Sequence, residues 1–122
     1  MDVLDEIYKL LVADNYIREQ VMGRIKFFEY PATGDVTGPY IVIDEIGPPI
    51  AVEYGGNKEI AYEQITQIDV WSTDRKLTRN LANAIRDVLR NDNVTQSAIG
   101  PSDYDKGVFR DARRYTFIYY KE

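Results

Sequence analysis

Residues 59–91 constrain the fold more than any other stretch, because a strand pattern runs directly into a helix pattern. Residues 59–72, EIAYEQITQIDVWS, are rich in β-formers and predict the longest strand of the chain. Asp74 or Thr73 can then cap a helix. The apolar residues of this helix recur at three- and four-residue intervals: Leu77, Leu81, Ala84, Ile85, Val88 and Leu89. A helix with such a stripe is expected to pack on one face of a sheet.

The rest of the chain predicts one more helix and four more strands. Asp2 can cap a helix that continues through Leu11, and a short helical turn follows at 16–22. The further strands are predicted at 24–30, 39–46, 94–99 and 113–121. Glycine and proline mark two long loops, 47–58 and 100–107. We therefore predict an α+β fold in the order α-β-β-β-α-β-β, with two helices packed on one face of an antiparallel sheet.

Length and composition limit the classes of protein to which this chain can belong. Its 122 residues suit a single domain, residues 1–122, with a core of its own. The chain contains no cysteine and no histidine. Disulfides and thiolate metal sites are thereby excluded, and the usual general base is missing. We expect a protein that is not an enzyme, with no catalytic residues, no metal and no cofactor.

The charge and hydropathy of the chain bear on its partners. The net charge is −5, so phosphate backbones repel the chain as a whole. No apolar run reaches the roughly 18 residues of a membrane span. The N-terminal stretch MDVLDEIYKLLVAD is acidic and amphipathic, unlike a signal peptide. We expect a protein made and used inside a cell, with no membrane contact and no sequence-specific nucleic acid.

Three acidic or glycine-rich stretches could carry chemistry, but each lacks the required spacing. DYDKG at 103–107 begins like a calcium loop, yet Val108 stands where such a loop needs glycine. Asp44 and Glu45 are adjacent on a strand, so they point to opposite faces and cannot converge on one substrate. YGGNK at 54–58 lacks the strand–loop–helix setting of a phosphate cradle. These stretches are better explained as turns and exposed strand edges.

Four arginines of the second predicted helix fall on one side of it. At 100° per residue they span an arc of roughly 60°, opposite the apolar stripe. They are Arg75, Arg79, Arg86 and Arg90. We call them the arginine stripe and expect them to project outward. A solvated helix face explains them, contact with an acidic neighbouring subunit is a second explanation, and contact with DNA phosphates is a third.

Trp71 lies on the less apolar face of the 59–72 strand. Alternate residues of a strand share a face. Trp71 therefore lies with Ala61, Glu63, Ile65, Gln67 and Asp69. A face that mixes Ile65 and Trp71 with charges has the composition of a protein–protein contact. The alternative is that the loop 100–112 folds back over Trp71.

The order of segments and several motifs resemble the tail-completion, or tail-terminator, proteins of long-tailed bacteriophages and prophages. The resembling stretches are ADNYIREQVMGRI, PYIVID and ITQIDVWSTDRKLTRNLANAIRDVL, within residues 3–91. The resemblance depends on Arg24-Ile25, on residues 68–71 (IDVW) and on the capped helix. The α+β fold expected for this family is the one predicted above from the residue pattern.

The resemblance implies a structural virion assembly protein. Such a protein forms a ring, typically a homo-hexamer, on the head-proximal end of the tail tube, and it joins the tail to the head. Its partners would be its own copies, the tail tube protein and a head connector or head-closure protein. It would act in the host cytoplasm during assembly and then stay in the tail or neck of the virion.

Within such a ring, the arginine stripe and the Trp71 face with Ile65 are the expected subunit interfaces. A loop at the tip of the predicted hairpin would reach the tube or its lumen. The loop residues are Val52, Glu53, Tyr54, Gly55, Gly56 and Asn57. Three other functions compete with this one: another neck component, such as a head-closure or minor capsid protein; a small ligand-binding or enzymatic domain that uses carboxylates and tyrosines; and a DNA-binding protein that uses the arginine stripe.

Overall fold

Three helices and five strands form the described part of the chain, residues 2–56 and 58–120 of a computed structural model. The helices are α1 (Val3–Ala13), α2 (Asn15–Val21) and α3 (Arg75–Asn91). The strands are β1 (Ile25–Phe27), β2 (Tyr40–Gly55), β3 (Lys58–Ser72), β4 (Thr95–Asp105) and β5 (Val108–Tyr120). The predicted α+β class is confirmed, but two of its details are wrong.

The first wrong detail is the wholly antiparallel sheet, since the five strands form a mixed sheet in the order β1-β2-β3-β5-β4. β1 runs parallel to β2 and pairs with Ile41–Ile43, whereas the other neighbours are antiparallel. Residues 28–39 carry the chain back from the end of β1 to the start of β2, which is the crossover that parallel strands require.

The second wrong detail is the number of helices, because the turn expected at 16–22 is a helix of its own. Asp14 ends α1, and its carboxylate accepts a hydrogen bond from the backbone N–H of Ile17 at 3.0 Å. One aspartate therefore separates two helices by capping the second. The observed order is α-α-β-β-β-α-β-β. Asp74, one of the two residues predicted to cap α3, accepts from the N–H of Leu77 at 3.0 Å.

The core lies between the three helices and one face of the sheet. Its fully buried members from the helices are Ile7, Leu11, Ile17, Val21, Leu81, Ile85 and Leu89. From the sheet they are Ile41, Ile43, Ile68, Val70 and Tyr115. Burial raises the pKa of the Tyr115 hydroxyl to about 12, because the ionised phenolate is disfavoured away from water. We call the other side of the sheet, which the helices leave uncovered, the open face.

Both loops predicted from glycine and proline are in fact irregular strands. Residues 47–55 continue β2, and the register of that strand shifts between Ile46 and Ile50, around Pro48 and Pro49. Residues 100–105 continue β4, whose register shifts between Ile99 and Ser102. Such bulges tolerate proline and glycine on strands at the edge of a sheet. The glycines and prolines of these two segments therefore favour a loop prediction, although the chain stays extended there.

The two long hairpins point to opposite ends of the sheet. β3 pairs with β5 from Ala61↔Tyr120 at one end to Ser72↔Phe109 at the other. The β2–β3 turn therefore lies at one end and the β4–β5 turn at the other. Near the first turn Val52, Glu53 and Tyr54 are exposed, and Tyr54 retains 64% of its full exposure. Asn57, predicted for the same tip, lies outside the described residues.

We predict that replacing residues 50–57 with a short glycine-containing turn leaves the protein folded. Residues 50–56 are exposed or partly exposed and lie at the end of the hairpin, so their removal takes no buried side chain from the core. Thermal unfolding should give a Tm within about 5 °C of the wild type. Leu81→Ala is the comparison, since this fully buried side chain should cost about 2–5 kcal/mol of unfolding free energy. A shortened hairpin that lowers the Tm as much as Leu81→Ala would contradict the prediction.

Candidate functional site

Trp71 lies on the open face within a stack of aromatic rings. The Tyr40 ring lies nearly parallel to it, with 6.1 Å between the ring centroids and 8° between the planes. Tyr30 stacks on the far side of Tyr40 at 4.2 Å, and its hydroxyl donates to the carbonyl of Asp35. The guanidinium of Arg110 lies 4.8 Å from the Trp71 centroid. Trp71 is thus partly covered from within its own chain and keeps a partly exposed edge.

A hydrogen-bonded network of charged and polar side chains continues from Arg110 across the open face. Asp69 is buried and accepts from Arg110 through Nε at 3.0 Å and Nη2 at 2.7 Å. Gln67 donates to the other oxygen of Asp69 at 3.0 Å and accepts from Arg114 at 3.1 Å. A buried carboxylate paired with a guanidinium in this way holds β3 and β5 in one register. The network therefore fixes the platform on which Trp71 lies.

The segment after β1 and Arg110 of β5 form the wall beside Trp71, rather than a loop at 100–112. A cavity of about 400 Å³ next to the ring is lined by Phe28, Glu29 and Tyr30 on one side and by Tyr40 and Asp69 among the sheet residues. The expectation that 100–112 folds back as a loop is wrong, because these residues continue β4 and β5. Arg110 reaches the indole from its place within β5.

Ile65 lies further along the open face, within an apolar patch. It stands opposite Ile46 on β2 and Thr116 on β5 and is partly exposed. Strand pairing places further exposed residues on the same face: Ile50, Ile118 and Tyr120. Glu63 stands between Ile50 and Ile118, so these exposed apolar side chains are interrupted by a carboxylate. Grouped exposed apolar residues of this kind are typical of protein contact sites.

The arginine stripe borders a groove between α3 and the β4–β5 hairpin, so it does not lie wholly opposite the sheet as predicted. Arg75 and Arg79 line the groove at one end, and Arg79 and Arg86 line it further along. The Nε of Arg79 is 2.9 Å from a carboxylate oxygen of Asp111 on β5. Arg90 lies beyond the groove, and its Nη2 is 3.0 Å from Asp87.

The arginines along this groove outnumber the carboxylates that neutralise them. Asp111 serves both Arg79 and Arg113, each through Nε at 2.9 Å. Asp87 likewise serves both Arg86 and Arg90 at 3.0 Å. Within the described residues, Arg75 makes no ion pair. The groove therefore carries a surplus of positive charge that the chain itself does not balance.

The acidic side chains of the described residues do not group into a metal site. Within residues 2–56 and 58–120, no three His, Cys, Asp or Glu side chains are placed so that they could hold a metal ion. Asp44 and Glu45 lie on opposite faces of β2, as expected from adjacent positions in a strand. No helix in the same part of the chain is long and apolar enough to cross a membrane.

Comparison with known proteins identifies the family. The model of the family described as Tail completion protein gp17 matches residues 5–117. The chain belongs to this family. The resemblance stated from the sequence is thereby confirmed, and the match extends beyond residue 91 into β5. Members of this family are structural components of the virion and not enzymes. The chain therefore has a structural role in the tail of a phage-like particle.

A solved structure supports the fold. One chain of the structure described as the virion of a native gene transfer agent (GTA) particle superposes with a TM-score of 0.68. The match covers 90% of this chain and 88% of that chain, at 15% sequence identity. At this identity the similarity concerns the fold alone. No curated protein sequence matches the chain.

Sequence reasoning located Trp71 but missed its neighbours. Tyr30, Tyr40 and Arg110 meet the indole through the pairings Tyr40↔Trp71 and Trp71↔Arg110 and through the segment after β1. Residue pattern predicts which face a side chain takes but not which strands become neighbours. The sequence contains ten tyrosines, and this abundance is the one signal that could have pointed to aromatic neighbours of Trp71.

We predict that Asp69→Ala lowers the free energy of unfolding by about 1–3 kcal/mol, because it leaves a partly buried guanidinium without its carboxylate. Asp103→Ala is the matched control. The Asp103 carboxylate also approaches Arg110, but at 3.8 Å, and its side chain is 58% exposed. The control should change the unfolding free energy by less than about 1 kcal/mol. Urea unfolding measures both, and equal losses would contradict the assigned importance of Asp69.

Proposed function

We propose that this protein forms a ring on the head-proximal end of the tail tube, stops tube growth there and joins the tail to the head. The observation that carries the proposal is the family match over residues 5–117. In this proposal residues 1–122 act as one tail-terminator-like domain, and six copies form the ring. The tail tube protein binds one side of the ring, and a head connector or head-closure protein binds the other.

The distribution of surfaces around the sheet supports this role. A ring needs heterologous contacts, in which two different patches of each copy meet. The open face with Trp71 and Ile65 supplies one candidate patch, and the arginine stripe supplies another. The stripe residues are Arg75, Arg79, Arg86 and Arg90. Arginine and tryptophan are the residue types that most often dominate binding energy in such contacts.

The exposed tip of the β2–β3 hairpin is proposed to reach the tube or its lumen. Its residues in the proposal are Val52, Glu53, Tyr54, Gly55, Gly56 and Asn57. The tip lies at the opposite end of the sheet from the β4–β5 turn. One end of each copy is therefore free to contact the tube while the other end faces the head. Assembly takes place in the host cytoplasm, and the ring then stays in the neck of the particle, without a membrane or sequence-specific nucleic acid as partner.

The proposed function is tested by electron microscopy of lysates from a particle-producing strain that lacks only this reading frame. We expect filled heads beside unattached tails, together with some overlong tubes. Expression of the wild-type chain from a plasmid should restore attachment. Unattached tails of normal length would contradict length control and favour another neck component. Complete particles in the absence of the chain would overturn the proposal.

We predict that Trp71→Ala reduces tail attachment more than it reduces folding. The indole of Trp71 contacts Tyr40 and Arg110, so its loss costs some stability. The indole is also partly exposed and therefore available to a neighbouring copy. Attached particles are counted in complemented lysates, and the Tm of the purified variant is measured separately. Tyr16→Ala, which removes another partly exposed aromatic ring on α2, is the control. Attachment that falls only in proportion to folded protein would show that Trp71 serves stability alone.

A further inference from the structure

We propose, on the basis of the ring assembly proposed above, that neighbouring copies meet side by side through opposite charges. The acidic edge of one copy, defined as Asp44, Glu45 and Glu53 on β2, lies against the arginine groove of the next. The arginine groove is the groove between α3 and the β4–β5 hairpin that is lined by Arg75, Arg79, Arg86 and Arg113. The occupant of the groove is therefore a second copy of this chain.

The acidic edge is a free edge of the sheet. β1 pairs with Ile41–Ile43 on the side of β2 that faces away from β3, so beyond Ile43 that side has no strand beside it within the described residues. Glu45 and Glu53 are exposed and Asp44 is partly exposed. Asp44 and Glu53 lie on the open face and Glu45 on the other face, so they line the edge from both sides rather than converge at one point. None of these three carboxylates makes an ion pair with a described residue. Asp44 accepts a hydrogen bond from the backbone N–H of Glu45 at 2.8 Å, which leaves the charge in place.

The arginine groove has the complementary charge. Two carboxylates line it. Asp111 is shared between Arg79 and Arg113, and Asp103 lies 3.8 Å from Arg110. Arg75 has no ion-pair partner among the described residues. Two guanidinium groups on the one carboxylate of Asp111, with Arg75 nearby, leave a positive charge that attracts further carboxylates. Arginine is also suited to interface pairing, because its planar group donates two parallel hydrogen bonds to a carboxylate.

The positions of the two surfaces favour a ring over a two-fold dimer. The strand order places β2 toward one side of the sheet and β4 at the other. A contact between the two sides is heterologous, and repetition of it closes a ring or builds a filament. A two-fold contact through either surface would instead place carboxylates against carboxylates or arginines against arginines. Such like-charge contacts are unfavourable.

Side chains rather than strand pairing are proposed to form this contact. The β2 edge is interrupted at Pro48 and Pro49, and the β4 edge is interrupted by a register shift between Ile99 and Ser102. Proline and bulges prevent continuous pairing of edges. Each edge strand also exposes large apolar side chains, among them Ile50 on β2 at 62% and Ile99 on β4 at 82%. These two can add apolar contact to the ion pairs.

The test uses charge reversal at one residue of each surface, Glu45→Arg and Arg75→Glu. Both side chains are exposed and lack ion-pair partners among the described residues, so the reversals should leave folding intact, which thermal unfolding checks. Each variant alone brings like charges together in a ring. In an equimolar mixture, copies that alternate around the ring bring opposite charges together at every interface. Sedimentation with tails purified from the deletion lysate measures how much protein is bound.

We expect each variant alone to bind tails at least tenfold less than the wild type, and the mixture to recover most of the binding. Glu19→Arg and Lys76→Glu are the controls, since they reverse exposed charges outside both surfaces, and they should bind like the wild type. Wild-type binding by either reversed variant, or a mixture no better than its components, would overturn the proposed contact. Failure of the wild-type chain itself to bind tails would instead count against the proposed function.

Discussion

The packing of all three helices on one face of the sheet determines which surfaces remain for assembly. The core joins α1, α2 and α3 to Ile41, Ile43, Ile68 and Val70 on that single face. The opposite face, the free edge of β2 and the edge strand β4 are consequently left to solvent or to neighbours. A small structural protein that must contact several partners at once needs surfaces that its own core does not use.

The open face combines rigidity with exposure. The bond between Asp69 and Arg110 joins β3 to β5, and Arg110 in turn lies over Trp71. The indole therefore has a fixed position before any partner arrives. A rigid aromatic side chain loses little conformational freedom on binding, which favours its use as an anchor. The indole of Trp71, the only tryptophan in the sequence, therefore faces tyrosines and an arginine rather than the core.

The sequence predicted those parts of the fold that depend on local pattern. The strand 59–72 and the helix after Asp74 follow from alternation, periodicity and capping, and both are present with nearly the predicted bounds. The β2–β3 hairpin was predicted, but residues 47–55 and 100–105 were predicted as loops because Pro48, Pro49 and Gly100 are typical of loops, whereas bulges accommodate them within strands. The parallel pairing of β1 depends on a crossover, and pattern alone gives no pairing partner.

For the candidate surfaces too, local pattern predicted some features, whereas others depend on how the elements pack. The arginine stripe was visible from helical spacing, but its position along a groove facing Asp111 depends on how α3 lies on β5. The aromatic stack around Trp71 depends on residues brought from β1, β2 and β5 to one place. The fold is shared with a chain of the GTA particle at only 15% identity. The same fold is therefore compatible with a largely different sequence.

The most direct measurement is cryo-electron microscopy of the neck of intact particles that contain this chain. The account predicts a closed ring of this fold between the last tube ring and the head. The β2–β3 tip should face the tube or its lumen, and the acidic edge of each copy should lie against the arginine groove of the next. A neck without this fold at the tube end, or single copies that do not contact one another, would contradict the account.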